Sequence, residues 1–96
     1  MPDRLSVVVT RRLPKPVETR LRELFNVTLN ETDTPLSREA LAEAIQRADV
    51  LVPTLTDEID QRMLAQAGDR LKLIANYGAG FDHIDVATAR QRGVLV

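Results

Sequence analysis

The loop Asn76-Tyr77-Gly78-Ala79-Gly80 is the strongest candidate for chemistry in this 96-residue chain. It follows an apolar run typical of a strand, and glycine permits backbone conformations that turn successive amide N–H groups toward one point. Such a concavity can hold a carboxylate or a phosphate without a charged side chain. The spacing also fits a plain tight turn into a helix, and spacing alone does not exclude that structural interpretation.

The loop lacks the complete dinucleotide fingerprint G-x-G-x-x-G. Gly78 and Gly80 match its first two glycines, but His83 stands where the third must permit close approach of a helix. Gly68 and Gly93 are isolated glycines that we predict as helix stops. We therefore expect no cofactor-binding residues in this chain.

Asp82, His83 and Asp85 form a polar cluster at the loop exit, which could suggest a metal site or a base with an orienting acid. Near-consecutive ligands rarely converge on one ion, and Asp85 is better explained as the N-cap of the next helix. We predict a structural role for the cluster, with no metal ligand and no catalytic residue.

Thr54, Leu55 and Thr56 follow another apolar run, so we expect them at the same edge of the sheet as the glycine loop. Loops at the carboxyl ends of parallel strands often carry function, which makes these residues pocket candidates; a plain capping loop is the alternative. Arg11 and Arg12, after the first strand, could face an anionic ligand or form a solvated turn.

Apolar runs alternate with helical periodicity along the chain. Strands are predicted at residues 5–10, 27–30, 50–52, 71–75 and 94–96, and helices at 14–25, 37–49, 57–68 and 85–92, with Ser37, Asp57 or Thr56, and Asp85 as N-caps of the last three helices. This alternation predicts a single α/β domain over residues 1–96: a flavodoxin-like, doubly wound parallel sheet of five strands in the order 2-1-3-4-5.

The predicted sheet lacks its last helix. One face would be covered only by the first helix, so apolar side chains of residues 50–52, 73–75 and 94–96 should be exposed there. A bare apolar patch of this kind commonly marks an interface. We expect a homodimer through the uncovered face, with exchange of elements between protomers as one route.

Composition narrows the functional classes. Thirteen basic and fourteen acidic residues give a net charge of −1, which offers no electrostatic footprint for nucleic acid or an anionic membrane. The chain has no cysteine, which excludes disulfides, and a short first apolar run, which is too short to span a membrane. We expect a cytoplasmic protein.

Residues 71–96 resemble the N-terminal segment of the D-2-hydroxyacid dehydrogenases, most specifically in the loop and in the G-x-D-x-I-D pattern at Gly80, Asp82, Ile84 and Asp85. The resemblance implies the substrate-binding domain of an NAD(P)-dependent 2-oxo acid reductase of the glyoxylate or hydroxypyruvate type. It also implies that backbone amides around Ala79 and Gly80, with Tyr77 and Gly78, hold the substrate carboxylate and that Leu55 touches the substrate side chain.

The catalytic Arg, His and Glu of that family and its nucleotide-binding domain would lie beyond Val96. We therefore expect a piece of an oxidoreductase that is catalytically silent by itself. The alternative is a stand-alone flavodoxin-like module that binds a ligand or mediates oligomerisation without enzymatic activity.

Overall fold

The computed structural model describes residues 5–30, 32–54, 57–77 and 83–96. Strands and helices alternate along them. The strands are β1 Ser6–Val9, β2 Asn26–Thr28, β3 Val50–Val52 and β4 Leu73–Ile74, and the helices are α1 Lys15–Leu24, α2 Arg38–Arg47, α3 Gln61–Ala65 and α4 Val86–Gln91. Each overlaps the segment predicted for it, and the ends of all but α3 differ by at most two residues, which is the usual uncertainty of element ends. Helix α3 begins four residues later and ends three residues earlier than predicted.

The described strands form one parallel sheet in the order β2-β1-β3-β4, which confirms the predicted order for these strands. Val7 of β1 lies between Val27 of β2 and Val50 of β3, and Val50 in turn pairs with Leu73 of β4. The unalternated valine runs of β1 and β3 suit these central positions, where both faces of the sheet need apolar side chains. The chain therefore has the flavodoxin-like α/β architecture.

The predicted fifth strand is reduced to a single parallel bridge between Leu95 and Leu73. The N–H and C=O of Leu95 both bond to the β4 segment, at 2.9 and 2.7 Å. One residue earlier, the N–H of Val94 closes α4 by bonding to the carbonyl of Ala89 at 2.9 Å. Gly93 makes this helix end possible with a φ of 78°, as predicted for a helix stop. Because Val94 completes the helix end, pairing with β4 starts only at Leu95.

Two of the predicted helix caps are confirmed and the third is wrong. Ser37 caps α2 and Asp85 caps α4, each accepting the backbone N–H three residues later at 3.1 Å. Helix α3 is capped by Asp60, which accepts a backbone N–H at 2.8 Å, and not by Asp57; Thr56, the other predicted cap, lies outside the described residues. The Asp57 carboxylate turns toward β1 instead, so it is unavailable to the helix.

Gly68 does not end α3 in the way predicted. The helix ends at Ala65, and Gly68 lies beyond it with no left-handed φ. A Cβ atom placed on Gly68 would lie 2.4 Å from the carbonyl oxygen of Gln46 in α2, closer than such atoms can approach. Glycine is therefore required here for close packing of two segments and not for helix termination.

Helices α2, α3 and α4 cover one face of the sheet, where the larger apolar cluster lies. Val8, Leu51 and Ile74 point to this side from neighbouring strands and are at most 3% exposed. The cluster also contains Leu41, Ala42, Ala44, Ile45, Ala48, Ile59, Met63, Leu64, Leu71, Ile84, Ala89 and Val94. Within the described ranges, no helix has the length and apolar character needed to cross a bilayer.

Helix α1 covers only part of the opposite face. A row of neighbouring side chains crosses this face from Val27 through Val7, Val50 and Leu73 to Leu95. Val7, beside α1, is 2% exposed; Val50 and Leu73 are half-buried; Leu95 is 71% exposed. Cover of the sheet therefore decreases with distance from α1.

The predicted exposure is confirmed for Leu95 and wrong for several of its neighbours. Leu51, Ile74 and Val94 are buried beneath α2, α3 and α4, because alternate residues of a strand point to opposite faces. Val52 does lie on the α1 face, yet it packs with Val7, Val9 and Leu13 and is buried. The uncovered surface is therefore smaller than predicted and is centred on Leu95.

Candidate functional site

The carboxyl ends of β1, β3 and β4 lie side by side at one edge of the sheet, where open α/β folds bind their ligands. Of the predicted site residues, Leu55, Gly78, Ala79 and Gly80 lie outside the described residues. Tyr77, the residue that leads into the glycine loop, is described and is 45% exposed. Within the described residues, the candidate site therefore consists of the segments that flank the glycine loop.

A backbone hydrogen bond joins two of the loops at this edge. The N–H of Tyr77 donates to the carbonyl of Pro53 at 2.9 Å, just after β4 and β3 respectively. The segment beginning at Thr54 thus lies next to the segment that enters the glycine loop. The predicted proximity of these two loops is confirmed at their described ends.

Asp57 is a buried acid that sequence reasoning misplaced. The residue is 2% exposed, and its Oδ2 accepts the Thr54 N–H at 2.9 Å, the Thr54 hydroxyl at 3.4 Å and the hydroxyl of Thr10, which is fully buried. Thr10 is the first residue after β1, 47 positions away. A first-turn acid is the usual interpretation of an Asp before a helix, and no local pattern signals this distant partner.

The residues after the glycine loop have structural partners. A ring nitrogen of His83, Nε2, lies 2.7 Å from Oδ1 of Asn76, and the His83 carbonyl accepts the N–H of Ile59 at 2.7 Å. The N–H of Asp85 donates to the Ile59 carbonyl at 2.8 Å, while its side chain caps α4. These bonds hold the loop exit against the segment before α3. The capping role predicted for Asp85 is confirmed, and Asp82 lies outside the described residues.

The described residues do not fit the phosphates of a dinucleotide at α4. A dinucleotide-binding helix presents free N–H groups to the pyrophosphate, whereas the Asp85 carboxylate already accepts the Thr88 N–H at 3.1 Å and the Thr88 hydroxyl at 2.8 Å. A phosphate placed there would meet a carboxylate of the same charge. Among the described residues, no group of three His, Cys, Asp or Glu side chains could hold a metal ion.

The two arginines after β1 have acidic partners. The side chain of Arg11 and the backbone N–H of Arg12 both donate to Oδ1 of Asp33 at 2.9 Å, and the Arg12 guanidinium lies 3.4 Å from Glu18. The pKa of Asp33 is lowered, first by the Arg12 N–H and then by the Arg11 side chain. The structure therefore gives both arginines roles in organising the turn.

Two surface depressions lie away from the Tyr77 loop. A groove of about 380 Å³ between β2 and α2 is lined mainly by apolar side chains, with Glu43 and Arg47 among its polar residues. A smaller pocket of about 200 Å³ is lined by Arg12, Glu18, Arg22 and Leu29. The described walls of both depressions lie on the β1–β2 side of the fold, so neither includes Tyr77 or Asp57.

The sequence matches the model of one protein family over nearly its whole length. Residues 7–96 match the family described as D-isomer specific 2-hydroxyacid dehydrogenase, catalytic domain. The chain belongs to this family, and the resemblance inferred from residues 71–96 is thereby confirmed.

Individual relatives agree with the family assignment. The chain is 43% identical over 94 residues to a glyoxylate reductase of Thermofilum pendens, and 39% identical over 91 residues to one of Thermococcus onnurineus. These matches include 97% and 95% of the chain but 27% of each relative. The chain thus spans about a quarter of the length of the relatives that it matches.

A solved structure shows the same fold. The crystal structure of a Polaromonas protein, named as a D-isomer specific 2-hydroxyacid dehydrogenase and as NAD-binding, superposes with a TM-score of 0.89 at 32% identity. The superposition covers 99% of this chain and 30% of the other.

Proposed function

We propose that this chain binds the carboxylate of a small 2-oxo or 2-hydroxy acid at the carboxyl edge of its sheet. It would do so as the substrate-binding part of an NAD(P)-dependent dehydrogenase of the glyoxylate or hydroxypyruvate reductase type. The observation that carries the proposal is the 43% identity over 94 residues to a glyoxylate reductase. The exposed loop entry at Tyr77, beside the β3 loop, supports the location.

In this proposal the backbone supplies the carboxylate site. Amide N–H groups around Gly78, Ala79 and Gly80 would donate to the carboxylate oxygens, as such groups do where successive N–H groups converge. Tyr77 would line the entrance, and Leu55 would contact the substrate side chain. Because backbone donors contact only the carboxylate, the preference among 2-oxo acids would depend on the side chains around it.

We propose further that the 96 residues alone bind but do not turn over substrate. In a dehydrogenase of this class NAD(P) supplies or receives the hydride, and Asp85 at the start of α4 is unsuited to hold its phosphates. His83 is engaged with Asn76 and, through its carbonyl, with Ile59, which suits an architectural role better than proton exchange with a substrate. The nucleotide-binding domain and the acid–base residues would be supplied by other parts of a longer enzyme, which we place in the cytoplasm.

A titration followed by NMR tests the binding proposal. Oxalate and glyoxylate, added to the ¹⁵N-labelled chain, should shift the amide signals of residues 77–80 in a saturable way. Acetate should also shift these signals, because the backbone donors contact only a carboxylate, whereas acetamide is the matched control without a carboxylate and should not. Saturable shifts confined to other residues, or equal shifts with sodium chloride at the same ionic strength, would refute the proposal. Substrate-dependent oxidation of NADH by the purified chain would refute the proposal that the 96 residues alone do not turn over substrate.

A second proposal concerns self-association through the face that α1 leaves uncovered. What supports it is the exposure of Leu95 at 71%, in a row with the half-buried Val50 and Leu73. Exposed apolar side chains that adjoin a partly covered sheet favour burial against a second copy. We expect a homodimer by light scattering, with Leu95 near the centre of the contact.

Leu95→Lys should shift the dimer toward monomer, because it would place a charge in the contact. Val96→Lys is a matched control: Val96 is 40% exposed, and strand alternation directs it to the opposite face. A wild-type chain that is monodisperse and monomeric at micromolar concentration would overturn the dimer. Equal effects of the two substitutions would show that a different surface forms the contact.

A further inference from the structure

Asp57 is a buried titratable group that carboxylate binding by the glycine loop does not itself use. It is 2% exposed, and its hydroxyl partner Thr10 is fully buried. Removing a carboxylate from water costs free energy, so such groups are rare unless hydrogen bonds satisfy them. The position of the cluster of Thr10, Thr54 and Asp57 in the fold should therefore explain why a carboxylate is buried there.

The cluster joins the ends of two neighbouring strands. Oδ2 of Asp57 accepts the N–H of Thr54 at 2.9 Å, the Thr54 hydroxyl at 3.4 Å and the hydroxyl of Thr10. The backbone adds a bond from the Asp57 N–H to the Thr54 carbonyl at 3.0 Å, and the Thr10 N–H bonds to Val52 at 3.2 Å. The loop that leaves β3 is thereby closed on itself and fastened to β1.

The same loop carries this restraint to the candidate site. Pro53, the neighbour of Thr54, accepts the N–H of Tyr77 at 2.9 Å. Hydrogen bonds from Thr10 to Asp57 and from Thr54 to Asp57, the covalent link between Thr54 and Pro53, and the hydrogen bond from Tyr77 to Pro53 thus connect β1 to the residue that enters the glycine loop. A displacement of the β3 loop would be transmitted to Tyr77 through the Pro53 carbonyl.

A carboxylate suits this position better than a neutral group. An ionised carboxylate only accepts hydrogen bonds, and all the groups that converge on Oδ2 are donors. An asparagine could keep an oxygen at this place, but a neutral one that accepts weaker hydrogen bonds, or it could place an NH₂ group there, which would face the Thr54 N–H donor. Charge-assisted bonds are also shorter and stronger than neutral ones, which narrows the range of loop positions.

We propose that Asp57 is a positioning residue for the carboxylate site. By fixing the β3 loop to β1, it sets the position of Tyr77 at the entry to the carboxylate site, and so determines the affinity for a 2-oxo acid. This inference rests on the function proposed above, since it presumes binding at residues 77–80. The groups of a binding site must be held within about 0.5 Å of their productive positions, so we expect a measurable loss of affinity when this restraint is removed.

Affinity for oxalate, measured by NMR titration of the folded chain, tests the proposal. Asp57→Asn and Thr10→Val nearly preserve side-chain volume, and each should weaken oxalate binding about tenfold. Thr10→Ser keeps the hydroxyl and should bind as the wild type does. The double variant that combines Asp57→Asn with Thr10→Val should lose about as much affinity for oxalate as either single variant, because both substitutions disrupt the same cluster of hydrogen bonds.

Asp49→Asn provides a matched control for stability. Asp49 lies at the opposite, amino edge of the sheet, where its carboxylate accepts the Ser6 N–H at 2.7 Å and pairs with Arg70. This variant should be less stable than the wild type yet bind oxalate with unchanged affinity. A merely structural role for Asp57 would make the two variants alike, each with reduced stability and wild-type affinity, and that result would overturn the proposal.

The outcome also separates this inference from the proposed function. If the wild type binds oxalate at residues 77–80 while Asp57→Asn binds equally well, positioning by Asp57 is wrong and the function stands. If the wild type does not bind oxalate at these residues, the proposed function fails and the positioning role fails with it. Loss of affinity in Thr10→Ser equal to that in Thr10→Val would likewise overturn the role assigned to the hydroxyl.

Discussion

Replacing Asp49 with asparagine should lower the free energy of unfolding at pH 7 by about 1–2 kcal/mol. The Asp49 side chain is 13% exposed at the amino edge of the sheet. Its Oδ2 accepts the N–H of Ser6 at 2.7 Å, and its two oxygens contact Nη2 and Nε of Arg70 at 3.0 and 3.2 Å. The contacts join the start of β1, the start of β3 and the segment before β4.

The bond from Ser6 supplies most of the expected effect. A hydrogen bond to a charged group contributes about 1.5–3 kcal/mol, while a solvent-exposed ion pair contributes about 0–1 kcal/mol. The Arg70 side chain is 63% exposed, so the contribution of its ion pair to stability should lie at the low end of that range. Asparagine keeps an oxygen for the Ser6 N–H but loses the charge. We therefore expect it to lose roughly half of the free energy that the Ser6 hydrogen bond contributes, together with the contribution of the ion pair.

The effect should depend on pH. The Ser6 N–H, and next the Arg70 side chain, hold the pKa of Asp49 below its ordinary value of 3.8. Because the folded-state pKa is lower than the unfolded one, the stabilisation is fully present above the unfolded pKa. It is lost as the pH falls through the folded pKa. The wild type should therefore lose its advantage over Asp49→Asn as the pH falls below about 4.

Urea denaturation of both proteins at pH 7 and at pH 2.5 measures this difference. The pKa values of Asp33 and Asp60 are also lowered, but both proteins carry these groups, so their contributions cancel in the comparison. A difference in unfolding free energy that stays constant between the two pH values would refute the assigned cause. Equal stability at pH 7 would refute the contact itself.

Two glycine substitutions test backbone requirements by thermal unfolding. Gly68→Ala would place a Cβ 2.4 Å from the Gln46 carbonyl oxygen, so it should lower the free energy of unfolding by about 1–3 kcal/mol. If this variant is as stable as the wild type, α2 and the segment at Gly68 do not pack this closely. Gly93→Ala meets open space but must adopt a φ of 78°, so it should cost about 1–2 kcal/mol, and Gly93→Asn should cost less. Equal losses for alanine and asparagine would argue against the left-handed conformation.

The order of the sheet could be predicted because it follows from local signals and a general rule. Valine runs such as residues 7–9 and 50–52, separated by helical periodicity, indicate parallel strands, and right-handed crossovers then leave few arrangements. Ser37 and Asp85 were likewise identifiable, since an N-cap bonds only three residues ahead. Structural features whose partners lie close in the sequence could therefore be predicted.

Two features that sequence analysis missed depend on distant partners. Asp57 fits the pattern of a helix-capping acid, and only folding brings it to Thr10, 47 residues away. Gly68 fits the pattern of a helix stop, but the reason for glycine is the Gln46 carbonyl on another helix. The shortening of the fifth strand has a different, local cause, because the Val94 N–H bonds to the Ala89 carbonyl and closes α4 before the chain reaches β4.

A crystal structure of the chain with oxalate would test the central claim most directly. The account predicts one carboxylate of oxalate within hydrogen-bonding distance of the backbone N–H groups of Ala79 and Gly80, next to Tyr77. Oxalate bound instead in the pocket lined by Arg12 and Arg22, with no density for oxalate at the glycine loop, would contradict the account.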